Sequence, residues 1–188
     1  MMADFAAARL NMVESQVRTA DVTDVRLHDV LRALPRERFA PADKAHLAYA
    51  DIEVEYAPGR WLLKPRDVSK LLQALRPMPG ERALAIAAPY AAAVIEELGL
   101  PVTRIEAEAA PPAGEFDVIV CEGAVGRVPE AWTAALALNG RLGVVERDGP
   151  VGKACLYLRT ADGIGRRDLF DSFCPVLAGF EARHGFAL

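Results

Sequence analysis

From Gly80 onward, short runs with apolar residues on both parities alternate with stretches of helical spacing, and that alternation leaves few folds open. The runs are Ala83–Ala87, Val102–Ile105, Phe116–Cys121 and Leu142–Val145, and between them lie the helical stretches Tyr90–Leu98 and Pro129–Leu138. A strand apolar on both parities has both faces buried, as in a parallel sheet covered by helices. Two later runs, Ala154–Leu158 and Leu169–Phe173, flank the turn-forming pair Asp162-Gly163 and predict an antiparallel hairpin.

The first 79 residues read as helices instead. Leu10, Val13 and Val17 share one helical face, with Asp4, Arg9, Glu14 and Arg18 elsewhere. A second helix, N-capped by Thr23 or Asp24, places Leu27, Val30, Leu31 and Leu34 on one side and stops at Pro35. A third opens with Pro65 in its first turn, presents Val68, Leu71, Leu72 and Leu75, and ends before Pro77. Residues 51–64 show no clear period.

Bulk properties exclude several classes. Apolar residues make up 52% and charged residues 26%, a globular rather than disordered balance. The net charge of -4 speaks against a nucleic-acid partner. Cys121, Cys155 and Cys174 are widely spaced, with no C-x-x-C, so neither a disulfide framework nor a zinc site is expected. The most apolar window, Ala83 to Ile95, is too short for a membrane span and contains Pro89. No secretory signal is visible, and a reduced, cytoplasmic protein is expected.

Several segments, in order, carry a family resemblance: "MVESQVR" (Met12–Arg18), "LPRERFAP" (Leu34–Pro41) with "HLAYAD" (His46–Asp51), "GERALAI" (Gly80–Ile86) with "YAAAVIEELG" (Tyr90–Gly99), and "FDVIV", "VPEAW" and "LNGRLGVV" between Phe116 and Val145. Taken together they resemble the protein-L-isoaspartate O-methyltransferase family. That resemblance implies an α/β fold of the class I S-adenosylmethionine-dependent methyltransferase type. One domain is expected over residues 1–188, with a helical cap and acceptor loop in 1–79 and a Rossmann-like sheet closing with a hairpin in 80–188. It also implies repair of isoaspartyl proteins or peptides, with S-adenosyl-L-methionine as methyl donor.

Against that pattern the chain departs at defined places. The family's G-x-G-x-G turn corresponds to Ala87-Ala88-Pro89, which has no glycine and one amide fewer. Ala87, Ala88, Tyr90 and Glu106 are therefore relic positions of a cofactor site, Glu106 standing where the family's ribose-binding acid falls and Glu108 being a shifted substitute. Between Glu106 and the next strand only Ala107 to Glu115 intervene, too short for the family's crossover helix and third strand. The third strand, which backs the adenine, is expected to be missing. "GRWLLKP" (Gly59–Pro65) resembles the acceptor loop, with Gly59, Arg60 and Trp61 as substrate-loop residues. Leu63 stands where the family has a serine, so no catalytic residue carries over; Trp61 and Leu62 cover the core in the simpler reading.

The other candidates are isolated. His28, His46 and His184 lack partners at catalytic or metal-binding spacing. Cys121 falls at a strand's C-terminal end, where open sheets place ligands, and is read as packing; Glu122 follows it toward the same crevice without a role. Two function classes follow. One is an isoaspartyl methyltransferase with a reduced site; the other is a catalytically inactive pseudoenzyme that keeps the fold to bind or assemble with an unidentified protein. The missing strand would leave Val102–Ile105 as the sheet edge, blunted by Pro101 and Arg104 or paired in a homodimer.

Overall fold

The computed structural model describes residues 4–182; the predicted candidate His184 lies outside them. Helix α1 (Phe5–Met12) begins at Asp4, whose side chain accepts from the Ala7 amide at 3.0 Å, and runs on through a π-helical turn, Val13–Val17. Helix α2 (Val25–Ala33) is capped by Asp24, as the sequence predicts, and helix α3 (Pro65–Leu75) starts on its proline. The aperiodic segment turns out to be a small hairpin, strands β1 (Val54–Ala57) and β2 (Arg60–Leu62). Its turn is made by Pro58 and Gly59. Gly59 sits at φ +68, and the Glu55 carboxylate accepts the Gly59 amide at 3.0 Å. Three-residue pairing is too short to declare itself by alternation, although Pro-Gly is a turn signal.

The core is one six-stranded sheet in the order β4-β3-β5-β6-β7-β8. Strands β3 (Ala83–Ile86), β4 (Val102–Ile105), β5 (Phe116–Val125) and β6 (Leu136–Glu146) are mutually parallel. Strands β7 (Gly152–Thr160) and β8 (Gly163–Ser172) close it as the predicted antiparallel hairpin. Helix α4 (Pro89–Glu97) connects β3 to β4, and α5 (Glu130–Ala134) connects β5 to β6. The helix predicted over 129–138 is thus shortened. Leu136 is drawn into the sheet opposite Phe116, whose amide bonds the Ala135 carbonyl at 2.9 Å, and this pairing overrides helical spacing.

Alternate residues of the central strands feed two cores. Ala83, Ala85, Val118 and Val120 pack beneath α1, α2, α3 and α4; Leu84, Ile86, Ile119 and Cys121 pack on the other face with Trp132 of α5. This explains why the strands are apolar on both parities. Residues 106–115 cross from β4 to β5 without a helix or strand, so among the described residues β4 is the sheet edge. The chain leaves β3 for one neighbour, β4, and returns to its other side as β5. The crevice at the C-terminal ends of β3 and β5 is therefore the switch point where doubly wound sheets bind ligands. Among the described residues, no helix is long and apolar enough to cross a membrane.

Candidate cofactor site

Four segments meet at that crevice: the turn after β3, the start of α4, the end of β4 and the end of β5. Ala87 follows β3 at φ 46, a left-handed conformation that a side chain strains and glycine would not. Its amide bonds the Ile105 carbonyl at 2.9 Å, and its carbonyl accepts the Tyr56 hydroxyl at 3.1 Å. Ala88 is the N-cap of α4 and has no side chain with which to cap it, and Pro89 has no N–H to offer.

The uncapped helix start is satisfied from outside the helix. Glu122, near the end of β5 and fully buried, directs Oε2 at the amides of Tyr90 (3.1 Å) and Ala91 (3.0 Å). The Leu63 amide also faces it. This is an anion at a helix N-terminus, where backbone N–H groups and the helix dipole favour one; here the anion belongs to the protein. Burial pushes the Glu122 carboxyl up to about 7, while Arg36 and the three amides act against that rise. Arg36 is itself buried. It donates to the Ala48 carbonyl at 2.8 Å and to that of Leu63, and its guanidinium lies 4.4 Å from the Tyr90 ring centroid. Glu122 Oε1 and Arg36 Nη1 are buried without a hydrogen-bond partner among the described residues.

A cavity of about 250 Å³ lies beside this arrangement, bounded by Tyr56, Ala87, Ala88, Pro89, Ile105 and Glu106. Ligand pockets usually span roughly 300–1,000 Å³. Glu106 is mostly exposed and lies 3.9 Å from Arg60 Nε, and Arg60 also pairs with Glu108. The structure thus brings together Ala87, Ala88 and Glu106, with Arg60 reaching over from the β1–β2 hairpin, whereas the Tyr90 ring is fully buried against Phe39 and Arg36. Gly59 faces the C-terminal segment instead, its carbonyl accepting the Ala178 amide at 3.4 Å. Trp61 is half-buried against both cores, and Leu63 is fully buried. Burial raises the Cys121 thiol far above its ordinary value, so it is not a nucleophile at neutral pH. His28 is buried and bonds the Val22 carbonyl at 2.8 Å, a packing role.

Two participants were not assigned by sequence reasoning. Tyr56 lies in the segment without period. Glu122 did carry a signal: it is the one charge in the otherwise apolar stretch from Val118 to Val125, and a buried charge demands partners.

No family model matches the chain. A protein of Methylorubrum extorquens named protein-L-isoaspartate O-methyltransferase is 34% identical over 208 aligned positions, covering 94% of this chain and 91% of that protein. The chain belongs to the protein-L-isoaspartate O-methyltransferase family. A namesake from Methylorubrum populi is also 34% identical and covers 94% of this chain. The alignment to the first is longer than the 188 residues present, so the relative has residues with no counterpart here. The fold agrees: a crystal structure from Plasmodium falciparum, described as a protein-L-isoaspartate O-methyltransferase in complex with S-adenosyl-L-homocysteine, superposes with a TM-score of 0.72 at 16% identity, over 90% of this chain and 97% of that one.

The residues present do not fit the methyl donor associated with this family. S-adenosylmethionine carries a carboxylate, and the helix start that would receive one already holds Glu122. From Ala87 to Ala91, one residue has no N–H, and the amides of Ala87, Tyr90 and Ala91 are bonded within the chain. On the nucleoside side, no strand lies beyond β4 among the described residues to back a base.

Proposed function

We propose that this chain is a protein-L-isoaspartate O-methyltransferase-like protein that does not transfer methyl groups and works as a binding or assembly module. The observation that carries this reading is Glu122 bonded to the Tyr90 and Ala91 amides at the switch point. The short link from Glu106 to Glu115 and the proline at the helix start support it. Methyl transfer to a carboxylate depends mostly on holding donor and acceptor in line in a dry site. A chain without a grip on the donor loses the reaction even with its acceptor hairpin intact.

A second reading rests on the relatives' name and on the position of the cavity beside Ala88 and Glu106. In it the protein methylates isoaspartyl proteins or peptides with S-adenosyl-L-methionine. Ala87, Ala88, Tyr90 and Glu106 would lie against the donor, and Gly59, Arg60 and Trp61 against the acceptor. Calorimetric titration with S-adenosyl-L-methionine, followed by a labelled-methyl assay on an isoaspartyl peptide, separates the two. The first reading predicts neither heat nor label at millimolar donor. Micromolar binding with turnover would replace it by the second.

A further inference from the structure

Helix α4 lacks the two means by which a chain usually satisfies its own helix start. Its N-cap is Ala88, and its first turn contains no acidic residue. A side chain from 31 or 32 residues away does that work: Glu122 reaches Tyr90 and Ala91 from the adjoining strand. Its carboxylate is fully buried, faces the Leu63 amide as well, and has Arg36 as its cationic neighbour. Nothing in β5 requires an acid there; the flanking positions Val120, Cys121 and Ala124 are all buried and apolar.

The geometry points to Glu122 as an internal ligand: a specificity-determining side chain that fills the anion position at the start of α4 and bars carboxylate- or phosphate-bearing molecules from the crevice. This rests on the reading that the methyl donor does not fit, and it assigns that misfit to one residue. Two carboxylates cannot share the same two amides, and the second would meet the first inside a site shielded from water. The cavity beside Ala88 is then left to ligands with no negative charge at that end.

The test is chemical rescue. Glu122→Ala removes the carboxylate and leaves the Tyr90 and Ala91 amides without an acceptor in a space that formate or acetate would fill. Formate, against chloride at equal ionic strength, is expected to raise the melting temperature of Glu122→Ala by about 2–4 °C, the shift that roughly 1 kcal/mol produces in a chain of this length. It should leave the wild type and Glu122→Gln unmoved, because the carboxamide oxygen still fills the position. S-adenosyl-L-homocysteine, titrated by calorimetry, should bind Glu122→Ala at least tenfold more tightly than the wild type. If Glu122→Ala is unfolded in chloride, folding on addition of formate counts as the same rescue. No formate effect on Glu122→Ala, or equal shifts in all three proteins, overturns the assignment to Glu122 while the wild type's silence toward the donor stands. Micromolar binding of S-adenosyl-L-homocysteine to the wild type instead defeats the parent reading.

Discussion

The starts of α3 and α4 are built from the same parts and solved in different ways. Each has a proline at its first position and an N-cap without a side-chain hydrogen bond, Lys64 in one and Ala88 in the other. Helix α3 carries its own anion in the first turn. Asp67 is buried, and its carboxylate accepts from Ser172 Oγ at 2.7 Å and from Arg66 Nε at 2.8 Å. Helix α4 has none and receives Glu122 from a neighbouring strand, with Oε1 left unpartnered. The first arrangement locks helix to hairpin with both carboxylate oxygens used. The second places a half-satisfied carboxylate where related folds keep an opening for a ligand. Under the proposed reading, the difference separates a folding device from a filled ligand position.

The largest effect should come from breaking the local case. Asp67→Ala strands the buried Ser172 hydroxyl and removes a paired buried charge, which should lower stability by about 4 kcal/mol in urea unfolding. A loss below roughly 1 kcal/mol would mean that α3 does not depend on its own anion. Next is the pH dependence of the non-local case. The Glu122 carboxyl is raised from 4.5 to about 7, so the folded chain holds this proton more tightly than the unfolded one. Its contribution to stability is full below about pH 4.5 and is lost as pH rises through about 7. Arg36, Tyr56, Tyr90, Cys121 and the Leu63 amide are the groups facing it. Relative to Glu122→Gln, the wild type should lose up to about 3 kcal/mol across that window. Parallel stability curves for the two proteins would show that Glu122 does not titrate there. The smallest effect belongs to the turn. Ala87→Gly relieves a left-handed backbone but gives up a buried methyl, and the two should cancel to within about 1 kcal/mol in the same unfolding assay. A loss well beyond that would mean the methyl is anchored more firmly than its conformation suggests.

Most of the sheet was legible because strand burial on two faces writes itself as runs with apolar residues on both parities, and Asp24, Pro65 and the Asp162-Gly163 turn mark element ends locally. The hairpin at residues 54–62 was not, because its pairing is too short for a period and depends on Glu55 reaching the Gly59 amide. The same limit applies to the site. Missing glycines and a short link can be counted along the chain, whereas Glu122 meets Tyr90 only after β3 and β5 pair in register. Arg36 joins them from the cap, farther still in sequence.

A crystal soaked in millimolar S-adenosyl-L-homocysteine looks straight at the helix start. Glu122 Oε2 should remain within hydrogen-bond reach of the Tyr90 and Ala91 amides, with no ligand carboxylate nearby. Ligand density at those amides, with the Glu122 side chain rotated away, would contradict it.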